Sequence, residues 1–288
     1  FDVSWQLQRA FREKHSHEAV FALAELDPDM SAQNVVTPPQ ILVIYLLVSA
    51  LLLGLAFSPV ITLIVLNVFL TVFYTGNFLF KALLVWLGGA AQETSSRAIA
   101  AEASLLRDED LPIYTVLVPM FREPEVLPIL AQALRNLDYP LAKLDIKIVL
   151  EEGDHETIDA ARKLDLEGVF EIIRVPASHP QTKPKACNFA LRYAQGDFLV
   201  IFDAEDKPEP DQLKKVIAAF NQSAPNTACI QCRLNYYNAR ENWLTRMFTL
   251  DYSLWFDLML PGLERLGVPI PLGGTSNHFR MDVLRELN

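Results

Sequence analysis

The sequence predicts an α/β protein: a mostly parallel sheet flanked by helices, preceded by a transmembrane helical hairpin. Three observations carry this. Two long apolar runs stand back to back in the first third of the 288 residues. Beyond residue 112, short β-rich apolar runs alternate with helical stretches, the pattern of an α/β layer. Several of those runs end in acidic residues, and in open parallel sheets ligands sit beyond the carboxyl ends of the strands.

Residues 1–38 read as an N-terminal cytoplasmic segment, helical and polar in "WQLQRAFREKHSHEAVFALAEL", then loop-like at "DPDM" and "TPPQ". Residues 39–88 read as the hairpin. "ILVIYLLVSALLLGLAF" (41–57) carries no charge, and after Ser58-Pro59 the run resumes as "VITLIVLNVFLTVFYTGNFLF" up to Lys81. Each arm is close to the roughly twenty residues that cross a bilayer. Pro38 to Gln40, or Ser58, can extend the shorter arm into the headgroups. A buried hairpin of a soluble core is the alternative. A secretory signal fits poorly, because a long polar-rich stretch comes first.

Arg9, Arg12 and Lys14 precede the hairpin, Lys81, Arg97 and Arg107 follow it, and the turn is uncharged. The positive-inside rule places both flanks in the cytoplasm, which for a bacterial chain means a multi-pass inner-membrane protein with its sheet domain inside. Three cysteines, an odd number, suit that reducing compartment. The formal charge of −10 excludes a protein that wraps nucleic acid, but not one that binds a nucleotide. The chain starts at Phe1 and stops at "LRELN", so it is expected to be a piece of something longer.

Residues 89–111 form a helical or mobile connector. From 112 to 288 four strand-helix pairs follow: "IYTVLVPM" with 124–137, "DIKIVLEE" with 156–164, "FEIIRVP" with 185–194, and "DFLVIF" with 210–221. No "GxGxxG" follows the first strand and no "GxxxxGK[ST]" occurs, so neither an ordinary dinucleotide fold nor a P-loop is expected. The fourth strand runs straight into Asp203, Glu205 and Asp206. Like charges that close repel unless water screens them on a turn or a cation lies between them. Mg²⁺ or Mn²⁺ binds through one or two carboxylates and completes its shell with phosphate oxygens and water. "DAED" at a strand tip therefore predicts a metal-held diphosphate.

"TVLVPMFREPEVL", "KPKACNFAL", "FDAEDKPEPDQL" and "PLGGTSNHF" occur in this order over residues 111–280. In order and approximate spacing they resemble the membrane-embedded family-2 glycosyltransferases, relatives of bacterial cellulose synthase and other β-glucan synthases. The resemblance implies a GT-A nucleotide-sugar fold and a hexosyltransferase using UDP-glucose or a similar donor. Residue by residue, it implies that Pro119 and Glu123 line the nucleotide pocket. Glu151 or Asp154 meets the base, although "EEGDHET" stands where a paired "DD" is usual. Lys185 and Asn188 match the segment whose lysine reaches the nucleotide. Asp203 contacts ribose and diphosphate, Glu205 falls on the metal-ligand position, and Asp206 is a reserve ligand. Gly274, Thr275, Ser276 and Asn277 line the acceptor side. The family's "TED", with its general base, and its "QxxRW" are both absent, and the resemblance places them beyond Asn288, so no base is assigned here.

The implied reaction is an inverting, metal-dependent transfer to a growing, β-linked glycan. Two alternatives are transfer of one sugar to a lipid phosphate carrier and a non-catalytic nucleotide-binding membrane protein. Lys183 and Lys185 at a helix start oppose the helix dipole, which favours an anionic partner. "CIQC" (229–232) is read as core: residues three apart on a strand face opposite ways, and no second pair exists for zinc. "ENWLTRMFTLDYSLWFDLMLPGL" is either an amphipathic helix at the membrane interface or core.

Overall fold

Strand β1 (Tyr114–Met120) is buried along nearly its whole length, as a strand covered on both faces must be. It lies in a sheet with β2 (Leu144–Glu151), β3 (Glu171–Val175), β4 (Phe198–Ile201), β5 (Cys229–Gln231) and β6 (Asn277–Arg280), in the order β3-β2-β1-β4-β6-β5. β1 pairs parallel with β2 and β4, and β2 parallel with β3. β6 runs antiparallel to β4 and β5, so the sheet is mixed, with the four anticipated strands making its parallel part. The structure, a computed structural model, describes residues 12–33, 35–89, 92–164 and 170–287. The expected helical start ahead of Arg12, with Arg9, falls outside these residues, as do Ala90, Ala91 and Asn288.

The pleat sends alternate side chains to two cores. Val116, Val118, Ile148, Leu150, Val200 and Phe202 meet helices α5 (Leu127–Arg135), α6 (His155–Lys163) and α8 (Gln212–Gln222) on one face. Leu117, Val149, Ile173, Val175 and Leu199 meet α7 (Lys183–Leu191) on the other, with Ala19 of α1 (Arg12–Leu26) and Met281 of α11 (Met281–Glu286). Gly196 opens β4 where a Cβ would lie 2.6 Å from the Thr115 nitrogen, so only glycine lets the backbones close. Described residues of 1–22, 93–233 and 271–288 form this unit.

Residues 23–92 and 234–270 form a second compact unit. Helices α2 (Pro38–Phe57) and α3 (Pro59–Gly89) are long and apolar enough to cross a membrane, and none of their most apolar windows is buried. Pro38 starts α2 at a position that tolerates a missing N–H, and the Thr37 N–H donates to Gln40 Oε1 at 2.9 Å. At the turn the Ser58 N–H bonds Gly54 O at 2.8 Å. A π-helical stretch (Ser253–Met259) and α10 (Leu260–Leu266) pack on α3, and α9 (Trp243–Tyr252) leads into the stretch. Gly88 faces the Leu258 carbonyl, and Gly262 the Leu84 carbonyl, at distances no Cβ could occupy. The α4 helix (Gln92–Ala103) fills part of the connector.

Candidate active site

The carboxyl ends of β1, β2 and β4 share one edge, and antiparallel β6 begins there, with Asn277 opposite Ile201. Topology alone thus delivers four segments to one place: the loop after β1, the end of β2, the "DAED" turn after β4 and the "GGTSN" segment before β6. Among the described residues the non-glycine positions with left-handed φ are Arg122 (57°) and Ser276 (54°). Both lie at this edge, where such conformations, costing roughly 1–3 kcal/mol, tend to be retained for function.

The "DAED" turn is built around its own backbone. The Asp203 N–H donates to Asp206 Oδ2 at 2.8 Å and to Thr275 Oγ1 at 3.1 Å. Thr275 Oγ1 also contacts Asp206 Oδ2 and the Ile201 carbonyl. Asp206 is consequently a turn staple. Burial pushes its carboxyl above the usual range, the two hydrogen bonds oppose this, and the Asp203 and Glu205 charges add to it. Glu205 is exposed and Asp203 half-buried. Asp203 Oδ1 pairs with Lys183 Nζ, which also donates to the Gly274 carbonyl at 2.5 Å. The turn after β4, the first residue of α7 and the segment before β6 thereby share one ammonium.

Glu123 faces the same cluster. Its carboxyl is pushed up first by burial, then by the charges of Glu205, Glu125, Asp203 and Asp154. The charges of acids that follow β1, β2 and β4 thus act on one carboxyl, though not every residue does what its position suggested. Asp154 caps α6, accepting from the Thr157 N–H at 3.2 Å, and holds the Arg122 N–H at 2.6 Å. Pro119 is half-buried on β1 opposite Val149.

Lys185 and Glu151 meet, but in the interior. Lys185 Nζ lies 3.3 Å from both Glu151 oxygens and donates to the Pro176 and Ser178 carbonyls at 3.0 and 3.1 Å. Both side chains are buried, and burial outweighs the lysine in pushing the Glu151 carboxyl up. Asn188 turns the other way and donates to the Ala19 carbonyl at 3.0 Å.

Two residues that sequence reasoning passed over emerge here. Lys183, weighed there only as a basic helix start, is the lysine that reaches the acids. Gln231, hidden between two cysteines, braces the "GGTSN" segment: its Oε1 accepts from the Gly273 N–H at 2.7 Å and its Nε2 donates to the Thr275 carbonyl at 3.1 Å. Asn277 Nδ2 donates to the Gly273 carbonyl at 2.5 Å, and its Oδ1 is buried without a partner among the described residues.

Among the described residues, no three His, Cys, Asp or Glu side chains gather closely enough to ligate an ion by themselves. That suits Mg²⁺ or Mn²⁺ arriving on a diphosphate, which needs only one or two protein carboxylates. Asp203 and Glu205 offer hard carboxylate oxygen donors, the type Mg²⁺ and Mn²⁺ take. The donor set fits.

The matched relatives are glycosyltransferases. Beta-monoglucosyldiacylglycerol synthase of Trichormus variabilis is 28% identical over 160 residues, 54% of this chain and 34% of that protein. Glucomannan 4-beta-mannosyltransferase 2 of Arabidopsis thaliana is 30% identical over 157 residues, 51% of this chain and 29% of that one. The chain thus spans about a third of the length of the curated relatives it matches. A mannosyltransferase from Pyrobaculum calidifontis, solved with GDP-Man and Mn²⁺, superimposes with a TM-score of 0.45 at 20% identity, covering 72% of this chain and 58% of that one. The family model described as "Glycosyl transferase family 2" matches residues 115–286, more than half of the sequence. The chain belongs to glycosyl transferase family 2.

Proposed function

We propose that this chain carries the donor half of an inverting hexosyltransferase that takes a sugar from a nucleotide-sugar, UDP-glucose by preference, at the cytoplasmic face of a membrane. The carrying observation is the pairing of Asp203 with Lys183 at the carboxyl edge of the sheet, where the charges of Glu205 and Asp203 also act on the Glu123 carboxyl. Acids alone would repel a diphosphate. Acids holding a divalent ion, with a lysine beside them, accept one.

Asp203 and Glu205 are the residues that would hold the ion, with Asp206 in reserve behind its turn. Bound there, it would stabilise the negative charge that grows on the leaving nucleoside diphosphate. The chain's own residues do the rest. Lys183 exchanges its carboxylate partner for phosphate oxygens, placing a positive charge where the leaving group forms. The Asp203 and Thr275 bonds hold the turn in one shape, so little reorganises during reaction. Asn277 and its neighbours Gly274, Thr275 and Ser276 form the acceptor side, where the unpartnered Asn277 oxygen can accept from a sugar hydroxyl. A single displacement inverts the anomeric centre, so an α-linked donor gives a β-linkage.

The acceptor is read as a growing β-glycan. A lipid acceptor receiving one sugar is the second reading, favoured by the diacylglycerol-linked product in the name of one relative. The test is UDP binding to the full-length protein by calorimetry, with and without Mn²⁺. Mn²⁺ should tighten binding at least tenfold, and Asp203→Asn should abolish that gain. Affinity indifferent to both would defeat the reading and leave a protein that keeps the fold without this chemistry.

A further inference from the structure

Helix α1 is docked on the unit that carries the site, through contacts unlike those of a core helix. Ala19 and Ser16 are buried, while Leu23 and Leu26 are exposed. Burying an alanine and a serine gains little apolar free energy, and an isolated helix of this length is marginal. Besides the Ala19 contact and the His15 ring edge-on to Phe189, polar ties hold it. Glu18 Oε2 pairs with Arg192 at 2.5 Å, the Ala19 carbonyl accepts from Asn188 at 3.0 Å, and the Ser16 and Ser178 hydroxyls lie 2.6 Å apart.

All three ties end on one stretch of chain, Ser178 through Arg192. Ser178 is held from two sides: its hydroxyl by Ser16, its carbonyl by Lys185. Lys185 in turn locks onto Glu151 at the end of β2. Between Ser178 and Lys185 lies Lys183, the residue that reaches Asp203. The helix therefore braces, from behind, the segment that aims a lysine at the site.

We propose that α1 is a releasable clamp: docked, it fixes residues 176–191 so that Lys183 is positioned for the diphosphate; undocked, it lets that segment loosen and donor affinity fall. Ser16, Glu18 and Ala19 are positioning residues, acting through α7 and touching no substrate. The donor arm of this proposal rests on the functional reading above; the clamp itself does not.

The test uses the full-length protein in detergent or nanodiscs, with two readouts: hydrogen exchange of the 176–191 amides, and binding of UDP with Mn²⁺. Glu18→Arg sets two cations against each other. It should speed exchange in 176–191, leave exchange in 144–151 unchanged, and weaken UDP roughly three- to tenfold, the scale of one partly exposed ion pair. Ala19→Arg, which cannot be buried at that contact, should do the same. The charge swap Glu18→Arg/Arg192→Glu should restore both readouts, which a general packing defect would not allow. Faster exchange with unchanged UDP affinity would reduce α1 to a plain packing element, and unchanged exchange in both single variants would overturn the clamp. If the wild type binds no UDP, the functional reading fails, and the clamp stands or falls on exchange and its rescue by the swap.

Discussion

Lys183 and Lys185 sit two positions apart on one helix and have opposite fates. Lys183 is half-exposed beside Asp203, whereas Lys185 is buried against Glu151. Breaking a buried pair by removing one partner typically costs about 3–5 kcal/mol, while removing both costs far less. Lys185→Met should therefore lower the thermal midpoint sharply, and Lys185→Met/Glu151→Leu should recover much of the loss. Midpoints indifferent to both would mean the pair is not a strut. His278 gives a second residue-scale prediction. Its ring, fully buried, touches Tyr114 Oη at 2.7 Å through Nδ1 and Gln212 Nε2 at 3.1 Å through Nε2. Burial pushes its pKa down to about 3, against about 6.5 in an unfolded chain. Between those values the unfolded state binds the extra proton, so stability is complete above pH 6.5 and drains away as pH falls toward 3. Thermal midpoints from pH 7 to pH 4 should fall more steeply for wild type than for His278→Gln; equal slopes would contradict this. Such roles were illegible in the sequence. "KPK" does not say which lysine turns inward, because that depends on where α7 meets β2. "HET" after Asp154 does hold a helix start, but capping and base contact call for the same carboxylate.

The four parallel strands, three of which end at the site, were legible because each is a short β-rich apolar run alternating with a helical stretch. β5 and β6, three and four residues long, were not legible as a pair. Runs that short have no measurable period, and the reversal of β6 is set by pairing with β4. "GGTSN" was thus placed at the site by resemblance, and only the antiparallel register explains why it is there. The segment from Trp243 to Leu266 could not be assigned to interface or core from its composition, and the structure divides it. Trp243, Leu244, Met247, Phe248 and Leu250 are exposed, while Phe256, Met259 and Leu260 are buried. Its packing on α3 depends on backbone contact at two glycines. A Cβ at Gly262 would lie 2.3 Å from the Leu84 carbonyl, and backbone cannot swing aside as a side chain can. Gly262→Ala should cost about 1–3 kcal/mol, as overpacking does. Gly76→Ala, with nothing within 4 Å of its Cβ, should be neutral or slightly stabilising. Unfolding midpoints in one detergent compare the two, and equal effects would remove the close-contact argument.

At the scale of the whole molecule the two long apolar helices were the most legible feature, because an uninterrupted apolar run of roughly twenty residues is visible in composition alone. The two arms present Leu, Ile, Val and Phe side chains that nothing in the described protein covers, as the membrane-spanning reading expects. If the arms cross a bilayer, the positive-inside rule predicts that the Ser58-Pro59 turn faces away from the cytoplasm while Gly153 faces it. Cysteine labelling tests this directly. The native thiols make a quiet background: burial pushes Cys187 up to about 11, and Cys229 and Cys232 up to about 12, so little reactive thiolate forms at neutral pH. A Ser58→Cys variant should react with a membrane-impermeant maleimide in intact cells. Gly153→Cys, exposed beside the end of β2, should react only after lysis. Labelling of both in intact cells would put the sheet outside. Labelling of neither until lysis would leave the turn on the cytoplasmic side, and the two apolar arms would then need some cover other than a bilayer they cross.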